Sequence, residues 1–213
     1  MYTPTHYEVH DDQVTFEMIR QNPFATIVSG DGSMVSHLPL VLEITDGVPV
    51  LMGHCARANP HWRNLSNGPK PICIFHGPHS YISPAWYTPD LENVPTWNYA
   101  ATHVTGNFQV QNDRAIAWEM MKEMVTTFES KYKTGWRLPV DDSAALGMLS
   151  AIVVFKITNL TWKTKFKLSQ NQPAENRDNV IKNLLASKDP DIIATGQMME
   201  QTKNKAQFNS GTK

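Results

Sequence analysis

FATIVSGDGSMVSHLPLVLEITDGVPVLMGH, residues 24–54, is the stretch whose reading decides the fold. Two Asp-Gly pairs, Asp31-Gly32 and Asp46-Gly47, separate apolar runs over residues 24–30, 33–45 and 48–54. Asp-Gly between apolar runs is a strong hairpin signal, because both residues tolerate positive φ. The stretch therefore predicts three antiparallel strands. Along the middle run Met34, Ser36, Leu38, Leu40, Leu42 and Ile44 share one face, which leaves Val35, His37, Pro39 and Val41 on the other. Both faces are largely apolar, so cover on both sides is expected.

The third strand runs directly into GHCARANPHWR, residues 53–63, which combines two arginines, two histidines, an asparagine and the expected start of a helix. A guanidinium beside a turn that exposes backbone N–H groups suits a phosphate, since Arg pairs bidentately and a helix N-terminus adds partial positive charge. A strand ending in a solvated basic turn would read the same way in isolation. Upstream, the pattern predicts a helix over residues 12–21, capped by Asp11 or Asp12, with Val14, Phe16 and Met18 inward and Asn22-Pro23 ending it.

Downstream, two short strands are expected at residues 72–76 and 80–83 about Gly77-Pro78, followed by a long irregular stretch from Pro84 to Pro95. Residues 97–110 read as a strand with Gly106 as a bulge, and residues 113–132 as a helix with Ile116, Met120, Met121, Met124 and Phe128 at helical spacing. Those residues read as core packing. A short helix around residues 143–149, capped by Asp141-Asp142, leads to a β-branched strand over residues 151–161. In the following segment Lys163, Lys165 and Lys167 alternate, either blunting an exposed sheet edge or facing an anion. Beyond Pro173 the chain turns polar, with helices predicted over residues 174–187 and from Asp189-Pro190, and fraying from Lys203 onward. The reading is a domain over residues 1–171 and a C-terminal helical tail over residues 172–213. Its fold class is mainly β (α+β), a small closed or split barrel of six or seven antiparallel strands with peripheral helices.

Composition narrows the function classes. With 213 residues, 41% of them hydrophobic, the chain can bury a substantial core. Its 19 Lys and Arg nearly balance 20 Asp and Glu, and no long basic block appears, which disfavours a dedicated DNA-binding domain. No apolar run spans a bilayer and the N-terminus lacks signal-peptide features, so a cytoplasmic location is expected. Cys55 and Cys73 stand alone in apolar strands and read as buried thiols, not as a disulfide or zinc framework. His76-Gly77-Pro78-His79 lacks a convergent carboxylate or thiolate, so no metal site is expected. There is no G-x-S-x-G motif and no P-loop.

Several segments, in order along the chain, resemble the PaiB-like family of FMN-binding negative transcriptional regulators. They are Met1-Tyr2-Thr3-Pro4, then Ser36-His37-Leu38-Pro39-Leu40, then GHCARANPHWR, then FHGPHSYISPAWY over residues 75–87, then Val94-Pro95-Thr96-Trp97-Asn98-Tyr99, and Lys167-Leu168-Ser169-Gln170-Asn171. The resemblance covers residues 1 to about 171. It implies an FMN-binding split β-barrel related to pyridoxamine-phosphate oxidase-like flavoproteins, normally a homodimer with FMN at the subunit interface.

Carried onto this chain, the resemblance points to Arg57 and Asn59 as the phosphate cradle, with Arg63 adding charge one helical turn later. Ser36, His37 and Leu38 would face the ring system, although His37 reads equally as a packed histidine with one hydrogen-bonded nitrogen. Trp86, Tyr87 and Trp97 would cover the ring or build the dimer interface, and Thr96 and Asn98 would donate to flavin carbonyls. Lys167 and Gln170 enter through the family motif alone. Three functions follow: an FMN-binding regulator, a flavin-dependent oxidoreductase, or a haem-binding split-barrel protein. No recognition helix for DNA is evident, so any transcriptional effect is expected to be indirect, through a protein partner or the flavin state.

Overall fold

Both Asp-Gly signals mark connections between antiparallel strands, but only one of them is a two-residue turn. The computed structural model describes residues 1–88, 94–132, 134–138, 147 and 149–203. Among them the strands are β1 (Glu8–Val9), β2 (Phe24–Val28), β3 (Val35–Thr45), β4 (Val48–Ala56), β5 (Ile72–Ile82), β6 (Thr96–Val110) and β7 (Ile152–Lys167). The helices are α1 (Asp12–Gln21), α2 (His61–Asn67), α3 (Arg114–Glu129), α4 (Ala174–Leu185) and α5 (Pro190–Lys203). Asp46 and Gly47 have φ of 52° and 78°, which closes β3 onto β4 with Thr45 opposite Val48. Between β2 and β3 the ladder closes at Val28 and Val35, so residues 29–34 form a longer loop in which only Gly32 has positive φ. Asp31 organises that loop through its carboxylate: Oδ1 accepts from Ser33 N at 3.0 Å and from the Ser29 and Ser33 hydroxyls at 2.8 Å each.

The strands follow the order β1-β7-β4-β3-β2-β5-β6, and β6 pairs again with β7, which closes β2 to β7 into a six-stranded antiparallel barrel. Closure removes the free edges that an open sheet of this size would expose. Residues 163–167 therefore do not form a blunted edge: Lys165 lies opposite Glu8 in β1 and is only 6% exposed. The two short strands expected around Gly77-Pro78 are one continuous β5. Its pairing with β2 is confined to Ile72–Ile74, so Pro78 lies beyond it.

Two compact units divide the chain. One comprises residues 22–75 and 104–162. Its interior is lined by Ala25, Ile27, Leu40, Leu51, Phe75 and Phe155, each 1% exposed or less. On the outer face α3, capped by Asp113 through bonds from Ala115 N and Ile116 N, lays Ala117, Met120 and Met124 over Val41, Met52 and Val154. The methionine reading holds, but Ile116 points outward at 46% exposure and Ala117 takes the buried place. Cover on both faces of β3 is confined to Leu40–Leu42, because α3 does not reach Val35.

The other unit comprises residues 1–21, 76–103 and 163–213. Here α1 is capped by Asp11, whose Oδ1 accepts from Gln13 N and Val14 N. Phe16 and Met18 are buried and Val14 is half-buried, as the periodicity requires. Val180, Ile181 and Leu184 of α4 and Met199 of α5 share one apolar cluster with Val9, Met18 and Phe166. A buried hydroxyl chain runs beside it, from Thr15 to Thr164 at 2.9 Å and from Thr164 to Thr102 at 3.0 Å. The helix expected at residues 143–149, its Asp141-Asp142 cap and the last residues from 204 lie wholly or largely outside the described residues.

Gly106 is not a bulge with positive φ; the positive φ in this region belongs to Asn159 of β7, at 50°. Glycine is needed at 106 by close approach. A Cβ there would come within 2.7 Å of the Thr158 carbonyl oxygen and of Ile157 Cγ2. Gly106→Ala is expected to destabilise the fold by ~1–3 kcal/mol through overpacking, measured as a lower urea midpoint with unchanged slope.

Candidate functional site

The β3–β4 ladder ends at Leu40 and Gly53. Past that point Ser36, His37 and Leu38 pair with Ile27, Thr26 and Ala25 of β2, while His54, Cys55 and Ala56 pair with Val154, Val153 and Ile152 of β7. The two strands part there, and the GHCARANPHWR segment leaves β4 at the split.

Arg57 is the first residue beyond β4. Its backbone N–H donates to Ala151 O at 2.8 Å, and its guanidinium donates from Nε to Ser150 O at 2.7 Å and from Nη2 to Ile152 O at 2.6 Å. Trp62 Nε1 donates to Arg57 O at 3.1 Å, and the Arg63 guanidinium lies 4.6 Å from the Trp62 ring. Neutral carbonyls thus orient the Arg57 group without neutralising it, and it makes no ion pair with a carboxylate among the described residues. Arg57 lines a cavity of about 200 Å³ together with Gln111, Asn112, Arg114 and Ser150, and among the described residues no acidic side chain lines it.

Asn59 turns the other way. Its Oδ1 accepts from His61 N at 3.0 Å, which fixes the amide orientation, so that Nδ2 donates to Ser36 Oγ at 3.1 Å. Ser36 Oγ also lies 2.8 Å from His61 Nδ1. His61 is 1% exposed, and its Nε2 has no protein partner; His54 Nδ1, at the start of the split, is likewise buried and unpartnered. Unsatisfied buried ring nitrogens are costly, and two of them flank the split. Burial pushes both imidazoles below their ordinary pKa of 6.5, with Asp31 acting against the trend at His61. His37 is exposed, stacked beside Phe24 at 6.2 Å, with Nδ1 3.1 Å from Thr26 Oγ1.

The other expected site residues belong to the second unit. Lys167 Nζ donates to Thr96 Oγ1 and, at 2.6 Å, to Trp97 O. Trp97 is 53% exposed beside His79 and Tyr81, and Trp86 packs on the apolar cluster of α4 and α5. Asn98 is fully buried, with Nδ2 bonded to Ser169 Oγ at 2.9 Å. Gln170 braces its own strand end, accepting from Leu168 N and donating to Phe166 O. Ser36, Asn59 and His61 therefore share one hydrogen-bonded group, Arg57 binds the carbonyls of residues 150–152, Lys167 links Thr96 to Trp97, and Asn98 is tied to Ser169. Sequence reasoning passed over His61 as a site residue although its motif was singled out. The signal lay in the Asn59-Pro60-His61 spacing, which returns both side chains to Ser36.

Residues 1–159 match the family described as "Putative FMN-binding domain". A Bacillus subtilis relative, Protease synthase and sporulation protein PAI 2, is 31% identical over 207 residues, which cover 94% of this chain and 97% of the relative. The chain belongs to this PaiB-like family. FMN is the cofactor of its domain. Among solved structures, the flavocytochrome Anf3 from Azotobacter vinelandii matches with a TM-score of 0.56 at 12% identity, covering 75% of this chain and 69% of its own. The FAD and heme binding protein from Mycobacterium smegmatis also gives 0.56, at 14% identity, covering 81% of this chain and 78% of its own. These likenesses establish the split-barrel fold. No described helix is long and apolar enough to cross a membrane. The donor set fits the family cofactor: a held guanidinium, hydroxyl and amide groups, and two unpartnered buried imidazole nitrogens.

His54, His61 and His103 all have pKa values lowered by burial. The unfolded chain then binds more protons than the folded one in acid, so stability is fully present above the ordinary pKa of 6.5 and falls as pH drops below it. Urea unfolding at pH 7.5, 6.5 and 5.5 is expected to show that decline, with a shallower one in His61→Gln.

Proposed function

We propose that the protein is an FMN-binding homodimer that holds the cofactor's phosphate at the Arg57 turn and influences transcription indirectly. One observation carries the reading: the Arg57 guanidinium is held by two backbone carbonyls, without a carboxylate partner among the described residues, on a cavity that also presents Arg114, Gln111 and Asn112. Fixed cations and amide donors are what a phosphate monoester requires. Ser36, His37 and Leu38 are assigned to the ring system, since β3 has left β4 along these residues. Asn59 and His61 set the Ser36 hydroxyl. The bound isoalloxazine supplies redox chemistry, and the chain supplies binding, orientation and electrostatics.

The dimer reading is supported by an uncovered sheet face. Val35, Val28 and Ile72 are direct cross-strand neighbours, and Phe24 lies on the same face of β2. Phe24 is 67% and Val35 55% exposed. A contiguous apolar face of this kind marks an interaction surface. The near balance of charge, 19 basic against 20 acidic residues, supports regulation without direct DNA contact.

Losing a charge-assisted contact costs ~1.5–3 kcal/mol, so Arg57→Ala is expected to weaken FMN roughly 10- to 150-fold and riboflavin far less. Equal losses for both, measured by fluorescence titration, would refute the assignment. Light scattering is expected to give a dimer mass for the unaltered chain and a monomer mass for Val35→Glu; a monomeric unaltered chain would refute the dimer.

A further inference from the structure

Of the three alternating lysines of β7, Lys165 and Lys167 make contacts that the Arg57 phosphate reading does not use. Lys165, almost fully buried, donates from Nζ to Tyr2 O at 3.2 Å and lies 5.2 to 5.8 Å from the rings of Tyr2, Tyr7 and Tyr99. Lys167 donates to Thr96 and Trp97, with the Tyr7 ring 6.0 Å away. Neither ammonium forms an ion pair with a carboxylate among the described residues. Carbonyl dipoles and ring faces compensate a desolvated ammonium only in part, so two such groups two residues apart create a local demand for negative charge.

We infer that the cavity of about 210 Å³ lined by Tyr7, Tyr87, Thr96, Lys167, Ser169 and Asn171 is a second ligand site, for a small organic anion bearing a carboxylate or phosphate. Among the described residues its lining combines one ammonium with phenol, hydroxyl and amide groups and the apolar Val94, and includes no acidic side chain. The two phenols stay protonated, because burial raises their pKa values. Tyr7 is held in place by donating to Asn171 Oδ1 at 2.9 Å. All six residues belong to a single compact unit. The inference thus moves Lys167 out of the flavin site and assigns it to a different ligand.

The probes are succinate and inorganic phosphate, one for each kind of anion, titrated into the full chain while the ammonium resonance of Lys167 is followed by NMR. At least one probe is expected to shift that resonance saturably. Lys167→Met should then weaken this probe roughly tenfold or more, while FMN affinity stays within about twofold. No saturable shift with either probe would overturn the proposal. So would a loss of FMN affinity in Lys167→Met as large as the loss of probe affinity, which would return the lysine to the flavin site. Because Lys167 also braces Thr96 and Trp97, the titration of the unaltered chain decides the matter if the variant does not fold. Arg57→Ala separates the two readings, since it is expected to weaken FMN and leave the Lys167 titration unchanged.

Discussion

The register between β4 and β7 is the constraint on which the rest of the structure depends. Six residues of β4, Leu51 to Ala56, face Ile157 to Ile152, and this pairing links the β2–β3–β4 meander to the last strand of the barrel. Because Ala56 lies opposite Ile152, the next residue emerges beside the carbonyls of residues 150–152, and Arg57 takes all three. A slip of one residue would turn the inward side chains of β4 outward and carry the guanidinium away from those acceptors. The same register leaves β3 free of β4 beyond Leu40, and α2 returns His61 to Ser36 there. Barrel closure and the Arg57 turn are two results of one ladder.

Local chemistry made much of this legible in the sequence. Asp46-Gly47 specified its turn because a two-residue hairpin needs positive φ at both positions, and the pair adopts it. Asp31-Gly32 marked the right connection but not its form. The Asp31 carboxylate binds Ser29 and Ser33 more favourably than a tight turn would allow, and that competition involves residues outside the dipeptide. Gly106 was legible as a special position. Its cause, the approach of the Thr158 carbonyl, depends on a strand about fifty residues away and has no local signature. The lysines of β7 left two readings open for a related reason: alternating charge looks alike on an exposed strand and on one whose ammonium groups lie against aromatic rings.

The site was legible as a motif and less so as a geometry. GHCARANPHWR announced a polar turn between a strand and a helix, and a helix does begin within it, at His61. What the motif did not disclose is its division of labour. Arg57 faces the carbonyls before β7 and the cavity beside α3, whereas Asn59 and His61 face Ser36. Asn98 and Gln170, read as possible flavin contacts through family likeness, have their amides engaged by Ser169 and by the backbone of Phe166 and Leu168.

The proposed anchor for the phosphate of FMN is a guanidinium oriented by neutral carbonyls at the end of β4. A crystal structure of the FMN complex tests it most directly. The account predicts phosphate oxygens within hydrogen-bond distance of the Arg57 guanidinium, which keeps its bonds to residues 150 and 152. A phosphate bound elsewhere, with Arg57 contacting only those carbonyls, would contradict it.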